Sequence, residues 1–131
     1  MFLEGEWTSE VKGLGIDIAP IPRIAKLVEP YDHETLNLLF TPGEISRCQS
    51  SSHPHCFFTV SFATKEAVGK ALGTGLAGVC WNEIEANLIQ DKLTINLYGD
   101  ASIQAKKRDI QLWLATWCYW DEHVLVHVLA L

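Results

Sequence analysis

Apolar and polar positions change rhythm along this chain, and each change marks an element. From Val11 to Ala19 they alternate. Leu14, Ile16 and Ile18 share one face, and Gly13, Gly15, Asp17 and Ala19 share the other. A period of two predicts a strand. The second face is unusual, an acid among residues without bulk, and it leaves room beside Asp17 for an ion or a ligand. The plainer reading is a strand-end acid that faces solvent or caps the next element. Pro20 and Pro22 follow, and proline suits the first turn of a helix. Ile21 to Glu29 therefore predicts a short helix, with Arg23 and Lys26 opposite Ile24 and Leu27. Asp32 can cap a second, from His33 to Phe40. Thr41, Pro42 and Glu44 have the spacing of a capping box with proline at the first helical position, so a third runs to about Arg47 or Gln49.

Farther on the rhythm becomes helical. Phe62 to Gly75 predicts a central helix, with Thr59 or Ser61 as its cap and Gly73 or Gly75 ending it at positive φ. Glu66 and Lys70 lie one turn apart on one side, flanked by Phe62 and Ala63. Most of the remaining circumference is apolar, which marks a buried helix. A carboxylate and an ammonium on such a helix need partners. On a solvated face the same pair would be an ordinary i,i+4 contact worth ~0.2–0.5 kcal/mol.

Trp81 to Ile89 alternates again, Gln90-Asp91-Lys92 reads as a turn, and Leu93 to Tyr98 returns, so 81–98 predicts a hairpin. Gly99-Asp100 opens a polar helix to about Arg108, with Ile103 as its clearest apolar contact. Ile110 to Cys118 is a further strand, Tyr119 to Glu122 a turn, and Val124 to Leu129 a last strand that is apolar on both faces. Such a strand is central in its sheet or lies at a subunit interface. His127 within it reads as a core or interface histidine.

Composition narrows the classes. A chain of 131 residues suits one domain, here 11–131 after a loose polar lead-in over 1–10. A net charge of −6 argues against a general nucleic-acid binder, which needs a basic footprint. No run approaches the ~18 apolar residues of a membrane span. Residues 1–6 are acidic and unlike a secretory signal. Four sparse cysteines do not suggest a disulfide scaffold, so a reduced, cytoplasmic protein is expected. Cys48, His53, His55 and Cys56 invite a zinc reading, but without Cys-x-x-Cys spacing their segment reads better as a solvated loop.

Taken in order, Gly15-Ile16-Asp17-Ile18, Arg23-Ile24, Phe40-Thr41-x-x-Glu44, Phe62-Ala63-x-Lys65-Glu66-Ala67-x-x-Lys70-Ala71-Leu72-Gly73-Thr74-Gly75 and Trp81-x-x-Ile84-Glu85 resemble the holo-acyl-carrier-protein synthase type of 4′-phosphopantetheinyl transferase. The resemblance runs from about Gly13 to the C-terminus. It implies an α+β fold, a small antiparallel sheet against a long central helix, assembled as a homotrimer with active sites at the subunit boundaries. It implies transfer of 4′-phosphopantetheine from coenzyme A to a serine of an apo acyl or peptidyl carrier protein, in fatty acid, polyketide or related biosynthesis, with release of adenosine 3′,5′-bisphosphate. By position, Asp17 and Glu66 would bind Mg2+, and two carboxylates with phosphate oxygens and waters suit that ion. Lys70 would contact a phosphate, and Glu66 or a metal-bound water would take the serine proton. The Gly73-Thr74-Gly75 turn would admit coenzyme A close to the backbone. Arg23 and Lys26 would meet the acidic helix of the carrier. The chain departs from the family at Ser61, where the family has Arg, and at Tyr119, where it has His. A catalytically impaired homologue that binds a carrier or partner enzyme is the alternative these departures raise.

Overall fold

The structure, a computed structural model, describes residues 10–30 and 32–131. All of the expected lead-in except Glu10 lies outside the described residues. β1 spans Gly13–Pro20, and short helices α1 (Ile21–Val28), α2 (His33–Leu39) and α3 (Pro42–Ser50) follow. Asp32 caps α2, accepting from the Thr35 amide at 2.9 Å. Thr41 and Glu44 form the expected capping box at the head of α3. The central helix α4 runs Pro54–Leu72. A single 3-10 turn, Trp81–Glu83, precedes the hairpin β2 (Ile84–Ile89) and β3 (Lys92–Leu97). Then come α5 (Gly99–Lys107), β4 (Trp113–Trp120) and β5 (His123–Ala130).

The fold is α+β. A three-stranded antiparallel sheet in the order β1-β5-β4 packs one face on α4, and the β2–β3 hairpin packs beside it. β5 is the central strand. Val124, Val126, Val128 and Ala130 point at the helix and are fully buried. On the opposite face Leu14, Ile16, Ile18 and Leu114 are exposed, while Leu125, His127 and Leu129 are half-buried.

The face that β1 turns inward is the small one. A Cβ on Gly15 would stand 1.8 Å from the carbonyl oxygen of Ala67, and one on Gly13 2.0 Å from that of Ala71. The expected room on this face is therefore filled, over the two glycines, by the backbone of α4. Glycine is required here for contact between main chains.

Several boundaries differ from the sequence expectation. α4 begins eight residues before Phe62, with Pro54 in its first turn, so Thr59 and Ser61 lie inside it and cap nothing. The Thr59 hydroxyl donates back to the His55 carbonyl at 2.7 Å, and the Ser61 oxygen lies 3.8 Å from Cys48 Sγ. At the other end Gly73 takes φ +81°, as expected of a C-cap glycine. The segment read as a solvated loop contributes its ends to α3 and α4. Cys48 is consequently a core residue whose thiol is pushed up to about 12 by burial. Trp81 is in the 3-10 turn and not in a strand. In α5 Ala101 and Ala105 are buried and Ile103 is exposed, because the helix packs its small side inward. β4 and β5 extend to Trp120 and His123, because Asp121 and Glu122 both take positive φ and make a two-residue turn. Gln90 and Asp91 do the same between β2 and β3.

Candidate active site

Asp17 lies on β1 two residues beyond Gly15. The glycine contact that brings β1 against α4 also brings Asp17 opposite Glu66 and Lys70. Lys70 Nζ lies 3.2 Å from Asp17 Oδ1 and donates to the Ile16 carbonyl at 2.8 Å. Arg23, on the exposed side of α1, adds a second positive charge that acts on both carboxylates. Asp17, Ala19, Arg23, Phe62, Glu66 and Lys70 line one cleft of about 210 Å³. Phe62 forms its wall and stacks on Trp81, with centroids 5.0 Å apart.

Both carboxyls are held above their ordinary values. For Asp17 the cause is burial, which Lys70 and then Arg23 only partly offset. For Glu66 it is burial first and the Asp17 charge second, against Lys70 and Arg23. Burial thus disfavours the charged form of both acids more than Lys70 and Arg23 restore it. Lys70 gives its ion pair to Asp17, across the fold, and not to its helical neighbour Glu66.

The other expected positions are dispersed. Lys26 is exposed on α1, and neither it nor Gly73-Thr74-Gly75 lines the cleft. Gly73 and Gly75 both take positive φ just past the end of α4, and space beside Gly75 is open. Ser61 is buried against Cys48. Tyr119 lines a different and larger cavity, about 780 Å³, with His53, His55, Asp91 and Trp117. The paired carboxylates are in the smaller of these two clefts. Among the described residues there is no group of three or more His, Cys, Asp or Glu side chains arranged to hold a metal ion.

One polar pair was missed as such. Lys65, next to Glu66, is fully buried, with Nζ 2.7 Å from Glu44 Oε1. It also donates to the carbonyls of Trp81, at 3.1 Å, and of Ile84. Glu44 accepts from the amides of Thr41 at 2.9 Å and Ala86 at 2.8 Å. Burial pushes the Lys65 pKa down and that of Glu44 up, and their mutual attraction opposes both shifts. A lysine beside Phe62, Ala63 and Ala67 on a buried helix was the available signal, but nothing local names its partner.

A family model described as "4'-phosphopantetheinyl transferase superfamily" matches residues 13–125, from β1 with its Gly-x-Asp through α4 with Glu66 and Lys70 and into β5. The chain belongs to that superfamily. Among its relatives is the holo-[acyl-carrier-protein] synthase of Koribacter versatilis, 42% identical over 76 residues, which are 57% of this chain and 61% of that protein. The matched stretch is thus less than two thirds of that relative's length. The holo-[acyl-carrier-protein] synthase of Solibacter usitatus is 36% identical over 103 residues, 77% of this chain and 82% of that one. The crystal structure of the Helicobacter pylori holo-[acyl-carrier-protein] synthase in complex with coenzyme A superposes with a TM-score of 0.76 at 25% identity, covering 90% of this chain and 99% of that chain.

Proposed function

We propose that this protein is a holo-[acyl-carrier-protein] synthase, transferring 4′-phosphopantetheine from coenzyme A to a serine of an apo carrier protein in fatty acid or polyketide biosynthesis. The observation that carries this reading is the convergence of Asp17, Glu66, Lys70 and Arg23 on one cleft, in a chain of this superfamily. In the reaction the serine oxygen bonds to the phosphorus that carries pantetheine. The bond from that phosphorus to the bridging oxygen breaks, and adenosine 3′,5′-bisphosphate leaves. The serine proton passes to a base.

The residues of the cleft fit Mg2+. Two acids share it, and this ion is held by one or two carboxylates together with substrate phosphates. Asp17 and Glu66 would hold it, and when bound it offsets charge on the pyrophosphate. Lys70 is half-exposed, so its ammonium can turn from Asp17 to a phosphate oxygen and stabilise charge that grows there. Glu66 has two carboxylate oxygens and a raised pKa, which suits it to take the serine proton. Gly73, Thr74 and Gly75 offer backbone without bulk to the nucleotide. Arg23 and Lys26 present positive charge on the exposed side of α1, complementary to an acidic carrier helix. The exposed apolar face of the sheet, Leu14, Ile16, Ile18 and Leu114, is the surface for homotrimer assembly. Among the described residues the cysteines are all free and no helix is long and apolar enough to cross a membrane; a cytoplasmic site of action is part of this proposal.

The test is a transfer assay. The protein is mixed with coenzyme A, Mg2+ and a panel of apo carrier proteins, and each carrier is weighed by mass spectrometry. One added phosphopantetheine, lost with a chelator and lost in Asp17→Ala and Glu66→Ala, is the expected result. Carrier binding without transfer, indifferent to coenzyme A and Mg2+, would instead identify a binding module on the same fold.

A further inference from the structure

We propose that Lys65 is a positioning residue, whose buried bond to Glu44 sets the rotation of α4 that turns Glu66 and Lys70 toward Asp17. The proposal rests on the transferase reading of the cleft. It starts from a property of α4. Twelve of its residues are buried, from Phe58 to Leu72, on almost every side. Hydrophobic burial is non-directional, so a helix apolar nearly all round has little in its pattern to fix its angle about its own axis. Something directional must do so.

Besides the exposed Lys70 contacts to β1 and the bond from Arg108 to the Ala71 carbonyl, two contacts grip nearly opposite sides of the helix. At about 100° per residue, Lys65 and Ala67 point roughly away from each other. On the Ala67 side the glycines of β1 meet the helix backbone, a contact that sets distance but would tolerate sliding. On the other side Lys65 reaches three fixed acceptors, the Glu44 carboxylate and the carbonyls of Trp81 and Ile84. Glu44 is itself tied to the head of α3 through Thr41 and to β2 through Ala86. The Phe40 ring, 5.6 Å from Nζ, closes the pocket. Every polar atom of the pair is satisfied, so Lys65 has one low-energy direction. Glu66 follows at the next position and inherits it. A turn of roughly 20° about the axis would carry a side-chain tip by about 2 Å, and a misplacement near 1 Å in an active site can cost on the order of 100-fold in rate. A buried ion pair is a poor source of stability, since a neutral replacement of similar volume is often as stable. Orientation is what it supplies.

The experiment replaces the pair by neutral groups of similar size, Glu44→Gln with Lys65→Met, in the full chain. Folding is checked by circular dichroism and a cooperative melt. The expected result is a folded protein whose kcat, per folded molecule, is about 100-fold lower, with KM for the carrier unchanged because α1 is untouched. Its crystal structure should find α4 turned and Lys70 Nζ out of reach of Asp17. A folded variant with wild-type kcat, or with the Lys70–Asp17 contact intact, overturns the proposal. Should the double variant fail to fold, Glu44→Asp keeps the charge and draws the carboxylate back by one methylene. Its expected result is a smaller loss of kcat at constant carrier KM, and wild-type kcat there overturns the proposal equally. A wild-type chain that transfers nothing would defeat the transferase reading, and the Lys70–Asp17 distance in the variant would still decide the role of Lys65.

Discussion

Lys70 Nζ lies 3.2 Å from Asp17 Oδ1, so residues 53 positions apart in the chain close one side of a cleft. The contact joins β1 to α4 through charge, just beyond where Gly15 joins them through backbone. Glu66 faces the same space and feels Lys70 and Arg23 without an ion pair of its own among the described residues. Two carboxylates and two cations share the cleft, but burial disfavours the charged form of both acids, and for Glu66 the Asp17 charge adds to it.

That burial has a measurable cost. The Glu66 carboxyl is held above its ordinary value, by burial first and the Asp17 charge second. A carboxyl that holds its proton more tightly in the folded state loses stability as pH rises from the unfolded value through the folded one, and above that the cost is complete. Glu66→Gln removes the charge. Its expected outcome is no transfer, together with a melting temperature in chelator at pH 7 at or above that of the wild type. A clear fall in melting temperature would contradict it.

Gly15→Ala tests the β1–α4 contact. The added Cβ would meet the Ala67 carbonyl oxygen at 1.8 Å, and main chain cannot rotate aside. Overpacking of this kind costs about 1–3 kcal/mol or more. The cost should appear as a lower denaturant midpoint, with loss of transfer because Asp17 moves with the strand. Unchanged stability would mean that β1 and α4 separate freely.

The exposed sheet face bears on assembly. Ile16 projects from β1 beside His127 of β5 and is exposed in the single chain. Ile16→Glu places a charge in the middle of that apolar face, where burial without a partner is costly. Light scattering during size exclusion should report a trimer for the wild type and smaller species for the variant. The same mass for both would show that assembly uses another surface.

Glu85 gives a pH dependence of opposite sign to that of Glu66. Burial raises its pKa, but hydrogen bonds from Thr41, Tyr98 and Asn96, with Arg47 nearby, hold the carboxyl below 4.5 overall. A depressed carboxyl contributes stability that is fully present above the unfolded pKa and is lost as pH falls through the folded one. Glu85→Gln should therefore lower the melting temperature at pH 7 and matter progressively less below about pH 4. Equal destabilisation at pH 7 and at pH 3 would assign the effect to shape and not to charge.

Much of this could be read along the chain. Alternation from Val11 to Ala19 marked β1, which starts two residues later at Gly13, and the capping pair Thr41 and Glu44 marked the start of α3. Helical spacing put Glu66 and Lys70 on one side of α4, and Gly73 ended it. These features depend on neighbours within a few positions, where backbone geometry alone decides which side chains share a face. The start of α4 was misread because His53, Pro54 and His55 look like loop composition, while the helix there is held by packing of Phe57 and Phe58 that no local pattern declares.

What only the tertiary structure decided was which face meets what. Gly13 and Gly15 read as space for a ligand and turned out to be space for a helix. Glu44 read as half of a cap and is also the partner of Lys65. Lys70 read as the neighbour of Glu66 and pairs with Asp17. The physical reason is common to all three. Periodicity specifies the direction a side chain takes from its own backbone, whereas close approach and charge pairing are properties of two segments brought together, and the sequence carries no local record of that distance.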